Sequence, residues 1–319
     1  MYYLGIDLGG TNIAVGVVDE NNNIVIKDSV PTKAQRPAEE IVIDMANLCR
    51  DLLERAGIPL SEVAYAGIAA PGSIDPEEGR VVYANNLPFR DFPIADLLRK
   101  HLSIEKVYLE NDANAAAYGE ALAGAARGTR YAVMITLGTG LGGGIVIDGK
   151  VYSGFNYAGA ELGHIVIEYD GKPCTCGRKG CWESYSSATG LIRMTKEKMS
   201  ETKDTLMWEM AEGSLDNVSG KTAFAAMKEG DRAAAEVVDM YISYLACGIT
   251  NIINIFQPEV LCIGGGVCRE GDYLVKPLLE KVNAEQYTRD LKKQTEIKIA
   301  ELGNDAGIIG AAALGRQQQ

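Results

Sequence analysis

One pattern occurs twice in this chain of 319 residues: an apolar strand, a loop rich in glycine and threonine, and a second apolar strand. The first copy spans residues 2–18 and the second spans residues 131–147. The two copies lie roughly one domain length apart along the chain. Internal repetition of this kind indicates two related domains that face one ligand. The sequence therefore predicts an α/β protein of two domains.

The loops of the repeat have the composition of an anion-binding turn. Consecutive glycines let backbone N–H groups approach an anion closely, and a threonine hydroxyl adds a donor. The first loop leads from strand to strand and contains neither of the glycine fingerprints that lead from a strand into a helix. A plain hairpin turn is the alternative. The candidate phosphate-binding residues of the two loops are Gly9, Gly10, Thr11, Asn12, Thr139 and Gly140.

A third glycine cluster, Gly264, Gly265 and Gly266, follows the apolar residues 260–263. Glycines at the carboxyl end of a buried strand allow a flat ring or a sugar to pass close to the backbone. An ordinary turn at the end of a strand explains the same residues. Together with the two repeated loops, the cluster favours a nucleotide site.

Residues 161–183 concentrate metal-binding side chains between two glutamates, Glu161 and Glu183. Four nitrogen and sulfur donors are the number that a closed tetrahedral zinc site needs. Buried free thiols or a disulfide between the first and last cysteines are the alternatives, but a Cys/His cluster in a reducing compartment more often marks a metal. A bound metal would also fix the two flanking carboxylates. The four donors are His164, Cys174, Cys176 and Cys181.

Composition narrows the partners. The formal net charge of −12 repels phosphodiester backbones, and no basic arm offsets it, so we expect no nucleic-acid partner. Asp7 interrupts the first apolar run, and no stretch of eighteen apolar residues occurs, so we expect a cytoplasmic protein without a membrane partner. The four cysteines outside the cluster lie in apolar segments, which favours a reducing compartment.

The best candidate for a catalytic base is Asp112, which follows the apolar strand 107–109 and precedes an alanine-rich helix predicted at 115–126. An aspartate that caps the helix is the alternative. Transfer of a phosphoryl group needs a base for the accepting hydroxyl, and Asn111 is placed to orient the same substrate. It also needs Mg²⁺, which we expect near Asp7. Further acceptors that distinguish sugar hydroxyls are Glu161, His164 and Glu183.

These residues carry a resemblance. The motifs are Asp7-Leu-Gly-Gly-Thr-Asn, Ala70-Pro-Gly, Glu110-Asn-Asp-Ala-Asn, Leu137-Gly-Thr-Gly-Leu-Gly-Gly-Gly, Glu161-Leu-Gly-His and Cys174-Thr-Cys-Gly-Arg-Lys-Gly-Cys-Trp-Glu. They resemble the signature set of the ROK family (repressors, open reading frames and kinases), and most closely its glucokinases. The resemblance spans nearly the whole chain.

The resemblance implies an actin-like, hexokinase-type ATPase fold whose two domains close a cleft on a hexose. We expect an N-terminal domain at 1–115, joined by the C-terminal helix 304–319, and a second domain at 116–303 that carries the zinc knuckle 161–183. The resemblance also implies ATP with Mg²⁺, structural zinc, and a homodimer or homotetramer. It assigns the base to Asp112 and sugar binding to Gly72, Asn111, Glu161, His164 and Glu183.

Three positions depart from the family pattern. Asn12 stands where many relatives have lysine, Ala160 precedes Glu161 where glycine is usual, and Trp182 stands beside the pocket-forming Glu183. The leading hypothesis is a kinase for the 6-hydroxyl of an aldohexose, glucose before mannose, N-acetylmannosamine, allose or fructose. The alternatives are a sugar-responsive repressor, which would need a DNA-binding segment before the first hairpin, and a noncatalytic sugar-binding protein.

Overall fold

The computed structural model describes residues 1–318 and divides the chain into two units. The first unit contains residues 1–134, 143–160 and 300–319, and the second contains residues 135–142 and 161–299. The contact-based division therefore assigns residues 116–134 to the first unit.

A five-stranded sheet forms the core of the first unit. Its order is β3-β2-β1-β4-β8, in which the first three strands are antiparallel and the last two run parallel to β1. The strands are β1 (Tyr2–Leu8), β2 (Asn12–Asp19), β3 (Ile24–Pro31), β4 (Val63–Ala70) and β8 (Val107–Asn111). A separate three-stranded sheet comprises β5 (Ser73–Asp75), β6 (Arg80–Tyr83) and β7 (Arg90–Phe92).

Helix α1 (Ala38–Ala56) covers the first sheet with the apolar stripe that the sequence predicts. Pro37 precedes it, and Gly57 ends it in the left-handed conformation with φ 68°. Helix α2 (Ile94–Leu102) buries Ile94, Leu98 and Leu102 in the same core.

The C-terminal helix α10 (Asp305–Ala313) packs on β1, β4 and α3 (Asp112–Ala123) of the same unit. Its approach depends on glycine, because a Cβ at Gly5, Gly67 or Gly310 would collide with facing backbone. The partners of these contacts are Ile308, Ala311 and Ala115 respectively. The last helix is thereby fixed to the first strand of the chain.

The second five-stranded sheet has the order β11-β10-β9-β12-β13. Its strands are β9 (Ala132–Leu137), β10 (Leu141–Ile147), β11 (Lys150–Val151), β12 (Val260–Gly264) and β13 (Glu296–Ile299). The helices of the second unit are α4 (Glu183–Ser186), α5 (Ala188–Glu201), α6 (Met207–Met210), α7 (Thr222–Lys228), α8 (Arg232–Phe256) and α9 (Asp272–Glu285).

Helix α8 is long and apolar enough to cross a membrane by length and composition, and it is the one such helix among residues 1–318. More than half of that window is buried inside the protein, where α8 packs against α5, α7 and α9. Core helices of globular proteins share these properties, so the helix is weak evidence for a membrane span.

Several elements differ from the sequence predictions. The small sheet β5-β6-β7 and helix α2 were not predicted as such, and the polar stretch 200–219 contains α6 and a short turn of 3₁₀ helix at Leu215–Asn217. Helix α3 begins at Asp112, three residues before the predicted start. Short elements carry too few apolar residues to show a period, which is why the pattern missed them.

Candidate active site

The corner between β8 and α3 holds the candidate base. Asn111 is the N-cap of α3: its Oδ1 accepts hydrogen bonds from the backbone N–H groups of Ala113 at 2.9 Å and Asn114 at 3.3 Å. Asp112 is the first helical residue, and its Oδ1 accepts from Ala113 N at 2.9 Å. The cap that the sequence analysis offered as an alternative role for Asp112 therefore belongs to Asn111.

Two carboxylates of the first unit are electrostatically coupled. Burial raises the pKa of Asp112. Burial and then the neighbouring charge of Asp112 raise the pKa of Asp7 from 3.8 to about 6. Asp7 lies at the end of β1, and α10 approaches it so closely that a Cβ at Gly307 would collide with its carboxylate. Two acids held together in this way favour binding of a proton or a cation between them.

Glu110 was not singled out in the sequence analysis, although it belongs to the same motif. Its buried Oε1 accepts from Asn111 N at 2.8 Å and Asn114 Nδ2 at 3.1 Å, and its Oε2 accepts from Ser153 Oγ at 3.0 Å. Burial raises the pKa of Glu110, although these hydrogen bonds oppose the rise. A charged residue inside an otherwise apolar strand was the available signal.

Gly72 lies beside this corner. Its carbonyl oxygen accepts a hydrogen bond from Asn111 Nδ2 at 3.2 Å. Its φ of +94° and the close backbone of Tyr83 exclude a side chain at this position. Gly72, Asn111 and Asp112 are thus brought together.

The first glycine loop borders a cavity of about 600 Å³ within the first unit. Its walls include Asp7 and the ion pair between Lys27 Nζ and Asp305 Oδ1, which are 2.5 Å apart. The loop residues on the cavity wall are Gly9, Gly10, Thr11 and Asn12. The structure therefore places Asp7 and the whole first loop around one space.

The second and third glycine clusters meet in the second unit. Gly265, with φ +99°, lies against the backbone of Leu137, the last residue before the loop that holds Thr139 and Gly140. Glu183 joins the same loop, because its Oε2 accepts a hydrogen bond from Leu141 N at 2.9 Å. Its carboxylate also occupies the space where a side chain at Gly140 would stand.

The predicted metal donors converge. The ligand atoms of His164, Cys174, Cys176 and Cys181 all lie within 4.8 Å of one another. Cys174 Sγ is 3.7 Å from His164 Nδ1, and Cys176 Sγ is 3.6 Å from Cys181 Sγ. A tetrahedral zinc ion with bonds of about 2.0–2.3 Å gives donor separations of about 3.5–3.8 Å. All four are free of disulfides in the structure, and the donor set fits zinc.

The glutamates on either side of the cluster differ in their surroundings. Glu183 begins α4, and its Oε1 lies 3.8 Å from Cys174 Sγ. Glu161 is exposed and precedes the 3₁₀ turn Leu162–His164, in which His164 N donates to Glu161 O at 3.0 Å. Glu161 is thus connected to the cluster through the backbone of His164.

Two of the unusual positions have a structural explanation. Ala160 has a φ of +65°, in the left-handed region where glycine is favoured. Trp182 is fully buried: its Nε1 donates to Tyr244 O at 3.1 Å, and its ring fills the space beside Gly248. Trp182 is therefore a core residue that fixes the end of the cluster to α8.

The comparisons with known proteins agree with these positions. A model of the ROK family matches residues 3–318. The chain belongs to the ROK family. Its relatives include a glucokinase of Thermotoga maritima, which is 38% identical over 312 residues, 98% of this chain and 96% of the relative. The predicted family is confirmed.

Solved ROK structures share the fold. A ROK family glucokinase from Streptomyces griseus, in complex with glucose and AMPPNP, gives a TM-score of 0.80 at 35% identity over 99% of this chain and 100% of the other. The ROK hexokinase of Thermus thermophilus gives a TM-score of 0.85 at 30% identity over 100% of both chains. These matches confirm the predicted α/β, actin-like fold class.

Proposed function

We propose that this ROK protein is an ATP-dependent kinase that phosphorylates the 6-hydroxyl of an aldohexose, with glucose as the preferred substrate. The observation that carries the proposal is the β8–α3 corner, where Asn111 caps the helix and leaves Asp112 as a half-buried carboxylate beside Asp7. The glucokinase of Thermotoga maritima and the glucose complex of the Streptomyces griseus enzyme support the choice of sugar.

In this proposal Asp112 accepts the proton of the attacking hydroxyl. A carboxylate that is deprotonated at neutral pH accepts that proton as the new P–O bond forms. Asn111 and Gly72 border the same corner and bind neighbouring hydroxyls. Glu161, His164 and Glu183 supply the acceptors that distinguish one hexose from another.

ATP is the proposed phosphoryl donor, and the Streptomyces griseus complex with AMPPNP supports it. The N–H groups of the first loop, together with Thr139 and Gly140, bind the phosphates. Gly264, Gly265 and Gly266 lie along the nucleoside. Mg²⁺ would be held near Asp7 and would neutralise charge on the phosphates.

Zinc has a structural role in the proposal. His164 Nδ1, Cys174, Cys176 and Cys181 hold it, which leaves His164 Nε2 for a sugar hydroxyl. We further propose a cytoplasmic homodimer or homotetramer with no nucleic-acid or membrane partner.

A coupled assay of ADP release over a panel of hexoses tests the proposal. We expect glucose to give the highest kcat/KM among glucose, mannose, fructose, allose and N-acetylmannosamine, with ATP preferred over inorganic polyphosphate. Binding of glucose without turnover of any sugar would favour a noncatalytic regulator. A higher kcat/KM for another hexose would keep the kinase but reject glucose as its substrate.

A further inference from the structure

Thr32 makes two hydrogen bonds to the first glycine loop although it lies about twenty residues away in sequence. It follows β3, and its side chain is fully buried. Its Oγ1 donates to Gly9 O at 2.7 Å, and its backbone N–H donates to Thr11 O at 2.8 Å. One buried residue therefore holds two of the carbonyl groups of the loop.

These bonds determine where the N–H groups of the loop point. A trans peptide is planar, and its N–H is directed opposite to its C=O. The carbonyl of Gly9 faces Thr32, so the N–H of Gly10 faces away from Thr32. For the same reason the N–H of Asn12 faces away from Thr32, because the carbonyl of Thr11 faces it.

The loop residues line the cavity that also contains Asp7, whereas Thr32 is buried and exposes no surface to a ligand. A role for Thr32 in binding must therefore act through the loop. A further hydrogen bond, from Arg36 Nε to Thr32 O at 3.1 Å, holds Thr32 from its other side. The loop is thus supported by residues that follow β3 in the chain.

We propose that Thr32 is a positioning residue for the nucleotide: its hydroxyl and backbone N–H orient the N–H groups of Gly10 and Asn12 toward the phosphates of ATP. The inference rests on the proposed function, since it takes the phosphates to lie at this loop. Preorganised N–H donors bind an anion more tightly than donors that must first be ordered. Loss of the hydroxyl should weaken ATP and leave the sugar unaffected.

Thr32→Val tests this, because valine has nearly the same shape but lacks the hydroxyl. We expect the Kd for ATP, measured by calorimetry, and the KM for ATP to rise about tenfold, with the KM for glucose unchanged within about twofold. Thr32→Ser keeps the hydroxyl and should restore ATP affinity to within about threefold of the wild-type value. Thr32→Cys, whose thiol donates weakly, gives an intermediate value and serves as the second variant if Thr32→Val does not fold.

The matched control is Thr195→Val. Thr195 is also fully buried, and its hydroxyl donates to the carbonyl of Leu191 at 2.8 Å in helix α5. It should lose thermal stability to a similar degree without a selective loss of ATP affinity. Normal ATP affinity in Thr32→Val, or equal losses for ATP and glucose, would overturn the inference while an active wild-type enzyme still upholds the kinase. A wild-type protein that binds no ATP would overturn both.

Discussion

Asp112 combines partial burial with a position at the start of a helix, and the cap is supplied by its neighbour Asn111. A carboxylate that is not needed as a cap is available for proton transfer. Its raised pKa brings it closer to neutrality, where a base is most effective. The chemistry of this site is thus decided by which of two adjacent side chains turns back to the helix.

Replacement of Asp112 by asparagine should lower kcat by about 10²–10⁴-fold, because general base catalysis contributes about that much. The Kd for glucose should stay within about threefold, since the proton is transferred in the transition state. Calorimetry and steady-state kinetics measure the two effects. Asp290→Asn, at an exposed position, is the matched control. Near-normal kcat in Asp112→Asn would remove this residue from the mechanism.

Asp7 makes the stability of the nucleotide-free protein depend on pH. Unfolded Asp7 ionises above pH 3.8, but folded Asp7 ionises only above a pKa of about 6. The wild-type protein therefore loses stability as pH rises through this window. The shift corresponds to at most about 3 kcal/mol, less what partial exposure screens.

Asp7→Asn should accordingly be more stable than the wild type at pH 8, by about 1–3 kcal/mol, and equally stable near pH 4. Urea unfolding at both pH values, without nucleotide or Mg²⁺, measures the difference. In an Asp112→Asn background the gain should shrink, because the neighbouring charge is already gone. A gain that is the same at both pH values would reject the electrostatic explanation.

The segment from Glu161 to Glu183 is an element without a regular core, and its four donors converge where an apolar cluster would otherwise be needed. Trp182 fixes one end of the segment against α8. Glu183 connects it to the second glycine loop through Leu141 N. A metal in this segment would order sugar-binding and nucleotide-binding groups together.

Cys176→Ser should release the zinc and raise the Kd for glucose about tenfold, since loss of a donor weakens the ordering of both glutamates. Elemental analysis and calorimetry measure zinc and sugar binding. Cys247→Ser, in helix α8 outside the cluster, should change neither. Retention of a full equivalent of zinc, or an unchanged Kd for glucose after zinc loss, would separate the metal from the sugar site.

The first unit as a whole depends on contact between the two ends of the chain. Helix α10 lies directly on β1 and β4, and glycines at the contacts allow backbone to meet backbone. Gly310 faces the carbonyl of Ala115 in α3, and Gly67 faces that of Ala311. The position of α10 also fixes Asp7, which lies against Gly307.

Gly310→Ala should lower the stability by about 1–3 kcal/mol despite the better helix propensity of alanine, because its Cβ forces α10 and α3 apart. Thermal unfolding measures the change. Gly220→Ala is the matched control: a Cβ there meets open space and its φ is ordinary, so it should change the Tm little. A Gly310→Ala protein as stable as the wild type would show that the two helices separate easily.

The sequence alone determined the features that depend on local pattern. Period and flanking residues predicted α1 with its Pro37 and Gly57 ends, and the repeated strand–loop–strand units predicted the glycine hairpins. The donor types between Glu161 and Glu183 predicted a cluster that the structure brings within 4.8 Å. These signals are readable because each is contained in a short segment.

Only the tertiary structure decided which distant groups meet. It placed Ser153 on Glu110, Thr32 on Gly9 and Gly310 on Ala115, pairs whose partners are far apart in sequence. It also gave the helix cap to Asn111 rather than to Asp112. Local composition records how buried a residue tends to be, but the partner of a buried polar group depends on the path of the whole backbone.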